Sequence, residues 1–281
     1  MVIDYLERPA LTAETCLKTG EQKRVLEGRR AIVTGGGKGI GKGISIRLAE
    51  AGAAVVIVGN SNMTMAHETC ALIESRGGKA YAIAADLALP ESAEKVVAFA
   101  AEKMGGIDIL INNAAYQPNR DITEYSGELF QNVIDVNLGS YLRMTMAAFP
   151  YLKESGHGRI VNISSVHGKK PTGFDIAYAT SKGGVTMLTR ETAVTYMRYG
   201  ITCNAIMPGG TAIEFKTESS MHGMVNFGNK FIRVERDRRY HFGYRNGYPS
   251  DSGNLAVFLC SDLGEHYNGV AVRADGGMTL F

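Results

Sequence analysis

The sequence predicts a single α/β domain built on a doubly wound, seven-stranded parallel sheet of the Rossmann type, with helices on both faces. Three observations lead there. Short apolar runs of strand length alternate with longer helical segments from about residue 28 onward, the pattern of a parallel sheet. The first run passes directly into Thr34-Gly35-Gly36-Gly37-Lys38-Gly39-Ile40-Gly41, a turn that delivers a strand into a helix N-terminus. Finally, the glycine turn, Asp86, Asn113, Ser165 and Pro208 all fall at the carboxyl ends of strands, where open α/β sheets hold ligands. The expected strand order is 3-2-1-4-5-6-7.

Each element follows from its residues. Ala31 to Thr34 is the first strand, and a helix begins near Ile40. Val55 to Val58 is the second strand, and the helix over 63–76 stops at Gly77-Gly78. Tyr81 to Ala85 is the third strand, and Pro90-Glu91-Ser92 opens a helix reaching about Met104. Asp108 to Ile111 is the fourth strand. Residues 122–153 read as two consecutive helices or one bent one. Arg159-Ile-Val-Asn-Ile-Ser-Ser165 reads as a buried strand with hydroxyls at its end. A long helix from Tyr178 to about Tyr199 feeds the sixth strand, Thr202 to Met207. A helix from Pro249-Ser250-Asp251 to Cys260 and a seventh strand, Val270 to Arg273, finish the domain.

Bulk properties narrow the function. A formal charge of +2 gives no strong pull toward nucleic acid or an anionic membrane. Four scattered cysteines lack any CxxC or metal-ligand pairing, which favours buried thiols in a reducing compartment and no metal. No apolar run approaches the ~20 residues that span a bilayer. The N-terminus lacks a signal-like apolar core, so a cytoplasmic protein is expected. Residues 1–28 form an N-terminal extension, and Leu6, Leu11, Leu17 and Val25 favour an ordered arm over a tail. Residues 29–281 form the domain proper, with a long connection at about 212–248. That connection mixes Met221, Met224, Phe227 and Phe231 with Arg233, Arg236, Arg238, Arg239 and His241. It is either a solvated amphipathic helix or a lid whose arginines meet an anionic substrate.

The chemistry is concentrated in Tyr178-Ala179-Thr180-Ser181-Lys182. Residues four apart share a helix face. A free phenol has a pKa of ~10, too high for ready proton exchange near neutrality. An ammonium one turn away favours the phenolate and draws that pKa toward the working range.

These residues occur in order with Ser165, Asn137, Asn112-Asn113-Ala114-Ala115, Pro208-Gly209 and the glycine turn. The set resembles the short-chain dehydrogenase/reductase family, whose T-G-x-x-x-G-x-G variant fits the turn where G-x-G-x-x-G does not. The resemblance implies hydride transfer between a secondary alcohol or ketone and a nicotinamide. It implies Tyr178 as proton donor and acceptor, Lys182 as its partner and a ribose contact, and Ser165 on the substrate oxygen. Asn137 would bend its helix and support a water in the proton relay. Gly35, Gly37, Lys38, Gly39, Ile40 and Gly41 would hold the pyrophosphate end. Asp86 and Leu87 would lie by the adenine, with Asn113 and Ala114 as a wall and Pro208, Gly209 and Thr211 near the nicotinamide. The family's usual nicotinamide threonine stands at Ile213 here.

The second strand ends in Gly59-Asn60-Ser61-Asn62, without the acid that would bind a ribose 2′-hydroxyl. Lys38 and Ser61 favour NADP over NAD. Ser164-Ser165-Val166-His167, with Tyr178-x-x-Ser181-Lys182-Gly183-Gly184, looks like the same stretch of bacterial glucose dehydrogenases. A sugar or polyol is therefore the favoured substrate, with His167 as a substrate contact or a surface residue. A hydroxysteroid or 3-ketoacyl substrate stays open, as does a non-catalytic nucleotide sensor. A homo-oligomer, tetramer or dimer, is expected.

Overall fold

The computed structural model describes residues 24–171, 173, 175–211 and 247–280. The expected arm (beyond its last residues) and most of the connection at 212–248, Ile213 and its arginines included, lie outside them.

The strands are β1 Arg30–Thr34, β2 Ala54–Gly59, β3 Lys79–Ala84, β4 Ile109–Asn112, β5 Arg159–Ile163, β6 Thr202–Pro208 and β7 Ala271–Ala274. They form one sheet in the order β3-β2-β1-β4-β5-β6-β7, parallel throughout. The helices are α1 Gly39–Glu50, α2 Thr64–Ser75, α3 Ser92–Met104, α4 Gly127–Ile134, α5 Ser140–Glu154, α6 Ile176–Tyr196 and α7 Pro249–Cys260. Boundaries depart from the sequence reading by a residue or two. Strand β3, for example, opens at Lys79 because its ladder with β2 already pairs Ala54 with Lys79.

Alternating side chains build the two layers. Ala31, Val33, Ile109 and Ile111 face a core shared with Ile44 and Leu48 of α1, Ile73 of α2, and Ala256 and Leu259 of α7. Ile32, Leu110 and Ile160 face the other core, with Val96 of α3 and Met144, Ala148 and Leu152 of α5. Each large side chain so buried contributes about 1.5–3 kcal/mol. Leu26, in the turn before β1, is wholly buried in the first core.

Two local features set up the site. The helical stretch over 122–153 is a short 3-10 turn, then α4, a π-helical turn at Asp135–Gly139, and α5. The bend anticipated near Asn137 is that π turn, whose extra residue re-aims the side chains on either side. At the opposite sheet edge, Arg30 grips Asp108 with Nε and Nη2 at 2.7 and 2.9 Å, tying β1 to the start of β4. The glycine turn, Asn113, Ser165 and Gly209 follow closely on the carboxyl ends of β1, β4, β5 and β6.

Candidate active site

At the end of β1 the chain turns through Gly35 at φ +63, a left-handed conformation suited to glycine. A Cβ on Gly41 would stand 2.1 Å from the Gly35 carbonyl oxygen. The first turn of α1 therefore lies directly on the turn that precedes it, with Gly37 and Gly39 between. Exposed Lys38 is the N-cap, makes no side-chain cap bond, and is followed by no acid in the first turn. The amide donors and positive dipole end of α1 are thus left to an anionic group, which fits the pyrophosphate of a dinucleotide. Ile40 packs against the first core.

The wall beside this turn is built by Asn113 and Thr34. Asn113 Nδ2 donates to the carbonyls of Thr34 and Gly35 at 2.8 and 3.2 Å. Thr34 Oγ1 accepts from the amides of Asn113 and Ala114 at 2.8 and 3.0 Å. Asn60 and Ser61 are exposed just past β2. Asp86 is exposed, and its Oδ1 caps the amide of Ala88 at 3.0 Å. The side chain of Leu87 is buried in the second core, so only its backbone is available to a ligand. Pro208 ends β6, the Gly209 amide donates to Ala274 at 3.1 Å, and Thr211 is buried with its hydroxyl toward the Gly209 carbonyl.

Tyr178 and Lys182 stand one turn apart near the start of α6, with Nζ 5.7 Å from the phenol ring centroid. Lys182 is wholly buried. Its Nζ donates to the Ile163 carbonyl at 2.7 Å and to the Tyr141 hydroxyl at 3.2 Å. Burial brings the Lys182 amine down to about 7. Burial also raises the Tyr178 phenol above its ordinary value; a hydrogen bond from Ser165 acts in the opposite sense and the Asp175 charge adds to the rise. The expected acidified phenol is therefore not what the chain alone shows. Removing water is the largest cause of the shift in both groups. Ser165 is buried, and its Oγ also accepts the His167 amide at 3.1 Å.

Asn137 is wholly buried in the π turn. Its Oδ1 accepts the Tyr116 amide at 2.7 Å, and its Nδ2 donates to the Tyr116 carbonyl and Ser181 Oγ, both at 3.0 Å. It joins the loop after β4 to α6. Half-buried His167 places Nδ1 3.2 Å from the Lys170 carbonyl, which favours Nδ1 as donor.

Sequence reasoning did not single out Tyr141, Asp175 or Tyr116. Asp175 is the N-cap of α6 and lies three residues before Tyr178, a helix-start signal legible in the sequence. Tyr141 lies four residues after Asn137, on the same helix face. Nothing in sequence foretells Tyr116, because it is engaged through its backbone. Cys70, Cys203 and Cys260 carry free, buried thiols, raised by burial. Among the described residues no three His, Cys, Asp or Glu side chains cluster as metal ligands, and no helix is long and apolar enough to cross a membrane.

A glycine turn suited to a pyrophosphate, with a tyrosine, a serine and a lysine at the carboxyl ends of the same parallel sheet, is the arrangement expected of a nicotinamide-dependent oxidoreductase. The short chain dehydrogenase family model matches residues 29–222. Glucose 1-dehydrogenase 2 of Bacillus subtilis is 34% identical over 258 residues, covering 91% of this chain and 96% of the relative. 3beta-hydroxysteroid dehydrogenase 1 of Eggerthella lenta is 35% identical, covering 91% and 95%. The crystal structure of a short chain dehydrogenase from Burkholderia cenocepacia in complex with NADP superposes with a TM-score of 0.79 at 31% identity, covering 90% of this chain and 98% of that one. The chain belongs to the short-chain dehydrogenase/reductase family. It is an NAD(P)-dependent dehydrogenase acting on CH–OH groups of small molecules.

Proposed function

We propose that the protein interconverts a secondary alcohol and a ketone, most naturally on a sugar or polyol, with NADP as the preferred cofactor. The observation that carries the catalytic part is the convergence of Ser165 on the Tyr178 phenol with Lys182 buried one turn away. A bound nicotinamide supplies the hydride acceptor or donor. Tyr178 takes or gives the hydroxyl proton. Ser165 donates to the substrate oxygen and stabilises charge developing there. Lys182, near 7 and so partly charged at neutrality, offsets the phenolate as it forms and holds the ribose. Asn137 holds the wall at Tyr116 and supports the proton relay through its place beside Ser181. His167 lies two residues past Ser165 and lines the substrate side.

The NADP preference rests on Lys38 at the α1 N-cap, Ser61 after β2, and the missing acid at Asn60. The sugar reading rests on the glucose 1-dehydrogenase relative and the Ser164–His167 stretch. The hydroxysteroid relative, equally similar, supports a second reading in which the substrate is a hydroxysteroid. We propose that residues 29–281 form one catalytic domain with an N-terminal extension, in a cytoplasmic homo-oligomer. Exposed Met146 on α5 and Met187 and Val194 on α6 are suited to a subunit contact.

Turnover with NAD and NADP, over a panel of sugars, polyols, hydroxysteroids and 3-ketoacyl thioesters, tests this reading. Sugar or polyol oxidation with NADP is the expected outcome. Turnover confined to steroids moves the assignment to the second reading.

A further inference from the structure

We infer that Tyr141 is a positioning residue for Lys182: its hydroxyl, shared with the Ile163 carbonyl, holds the ammonium in place for the Tyr178 proton transfer. The inference rests on the reading of Tyr178 and Lys182 given above.

Tyr141 is wholly buried on α5. Phenylalanine would fill the same space, so packing explains the ring but not the oxygen. That oxygen donates to the Ile163 carbonyl at 3.1 Å and accepts from Lys182 Nζ at 3.2 Å. Lys182 Nζ donates to the same carbonyl at 2.7 Å. The three atoms form a closed triangle. Burial keeps Tyr141 a protonated phenol, so its one hydrogen goes to Ile163 and a lone pair faces the ammonium. An ammonium has three donors. Two are committed here, which leaves one for the reaction side.

The placement follows from the π turn. Asn137 and Tyr141 lie four residues apart across it, and they engage consecutive residues of α6: Asn137 bonds Ser181 and Tyr141 bonds Lys182. Among the described residues, the titratable side chains facing Nζ are Tyr178 on its own helix and Tyr141 on α5, each with its ring near Nζ. Strand β5 presents a carbonyl, and Asp175 and Ser165 act on Tyr178 itself. Without the Tyr141 hydroxyl, the buried ammonium has one acceptor fewer and its charged form is less favoured. The Tyr178 phenolate then loses support.

The test is Tyr141→Phe in the full chain, assayed for alcohol oxidation from pH 6 to 10 beside wild type and Tyr178→Phe. The expected result is about tenfold lower kcat at pH 7, with the acid limb moved up by about one pH unit. The melting temperature should stay close to wild type. In a Lys182→Ala background, where no ammonium remains to be held, adding Tyr141→Phe should change residual turnover less than about twofold. Coincident pH profiles for Tyr141→Phe and wild type, with Tyr178→Phe inactive, overturn this inference alone. A further tenfold loss in the Lys182→Ala background overturns it too. Full turnover by Tyr178→Phe instead removes the reading of the site on which it stands.

Discussion

Asp175 accepts the backbone amide of Tyr178 at 3.0 Å, so the residue that starts α6 also fixes the first turn on which the phenol is carried. The same buried carboxylate accepts the Asn119 amide at 2.9 Å and the Tyr125 hydroxyl at 2.5 Å. Asn119 has φ 54, in the left-handed region that asparagine adopts more readily than other non-glycine residues, and its amide is bound there by Asp175. Asp175 thus ties the loop after β4, the helical region near Tyr125, and α6 together.

Asp175→Ala removes a helix cap and leaves buried donors without an acceptor. It should lower stability by about 2–3 kcal/mol and turnover with it. Tyr125→Phe, which spares the cap, should cost less, about 1 kcal/mol. Urea unfolding measures both; equal losses would show that capping is not the main contribution.

Lys182 gives a pH signature in stability. Its folded value, about 7, lies below the ~10.4 of an unfolded lysine. Between those values the unfolded chain binds more protons at this site, so its contribution to stability rises with pH across that window and is lost as pH falls toward 7. Lys182→Met should therefore be most favourable relative to wild type near pH 7, with the difference shrinking toward pH 10. Melting temperatures at several pH values supply the check, and a pH-independent difference would contradict the buried-amine account.

Lys38→Ala should reduce kcat/KM for NADP by about ten- to a hundredfold while leaving the value for NAD within about threefold. Equal losses with both cofactors would assign Lys38 to the pyrophosphate. No loss with either would leave it a solvated side chain.

Gly41→Ala places a Cβ 2.1 Å from the Gly35 carbonyl, which must move. The cost should be about 1–3 kcal/mol in stability. The KM for the dinucleotide should also rise, because the displaced turn is the surface proposed to meet it. An unchanged KM, read by steady-state kinetics, would separate this turn from cofactor binding.

Much of this was readable before any coordinates. The seven strands follow from short continuous apolar runs and glycine placement, which are local properties, and their parallel order from the strand-helix alternation; the place of Asn113 was implied by the family resemblance. The bend near Asn137 was expected, though not that it is a π turn or that Asn137 bonds Tyr116 on both sides. The capping position of Asp175 was legible as a helix start, but its bonds to Asn119 and Tyr125 and the roles of Tyr141 and Thr34 were not. Each acts through a partner remote in the chain, such as Ile163 from Tyr141 or Asn119 from Asp175.

The sequence by itself determined the sheet, the glycine turn and the family, because these depend on spacing along the chain and on which residues tolerate a given backbone. Tertiary structure alone decided the electrical state of the site. A tyrosine and a lysine one turn apart support each other's charge, but that support is felt only after the cost of removing water has been met. Burial among β5, α5 and α6 sets that cost, which is why the phenol rises and the amine falls to about 7.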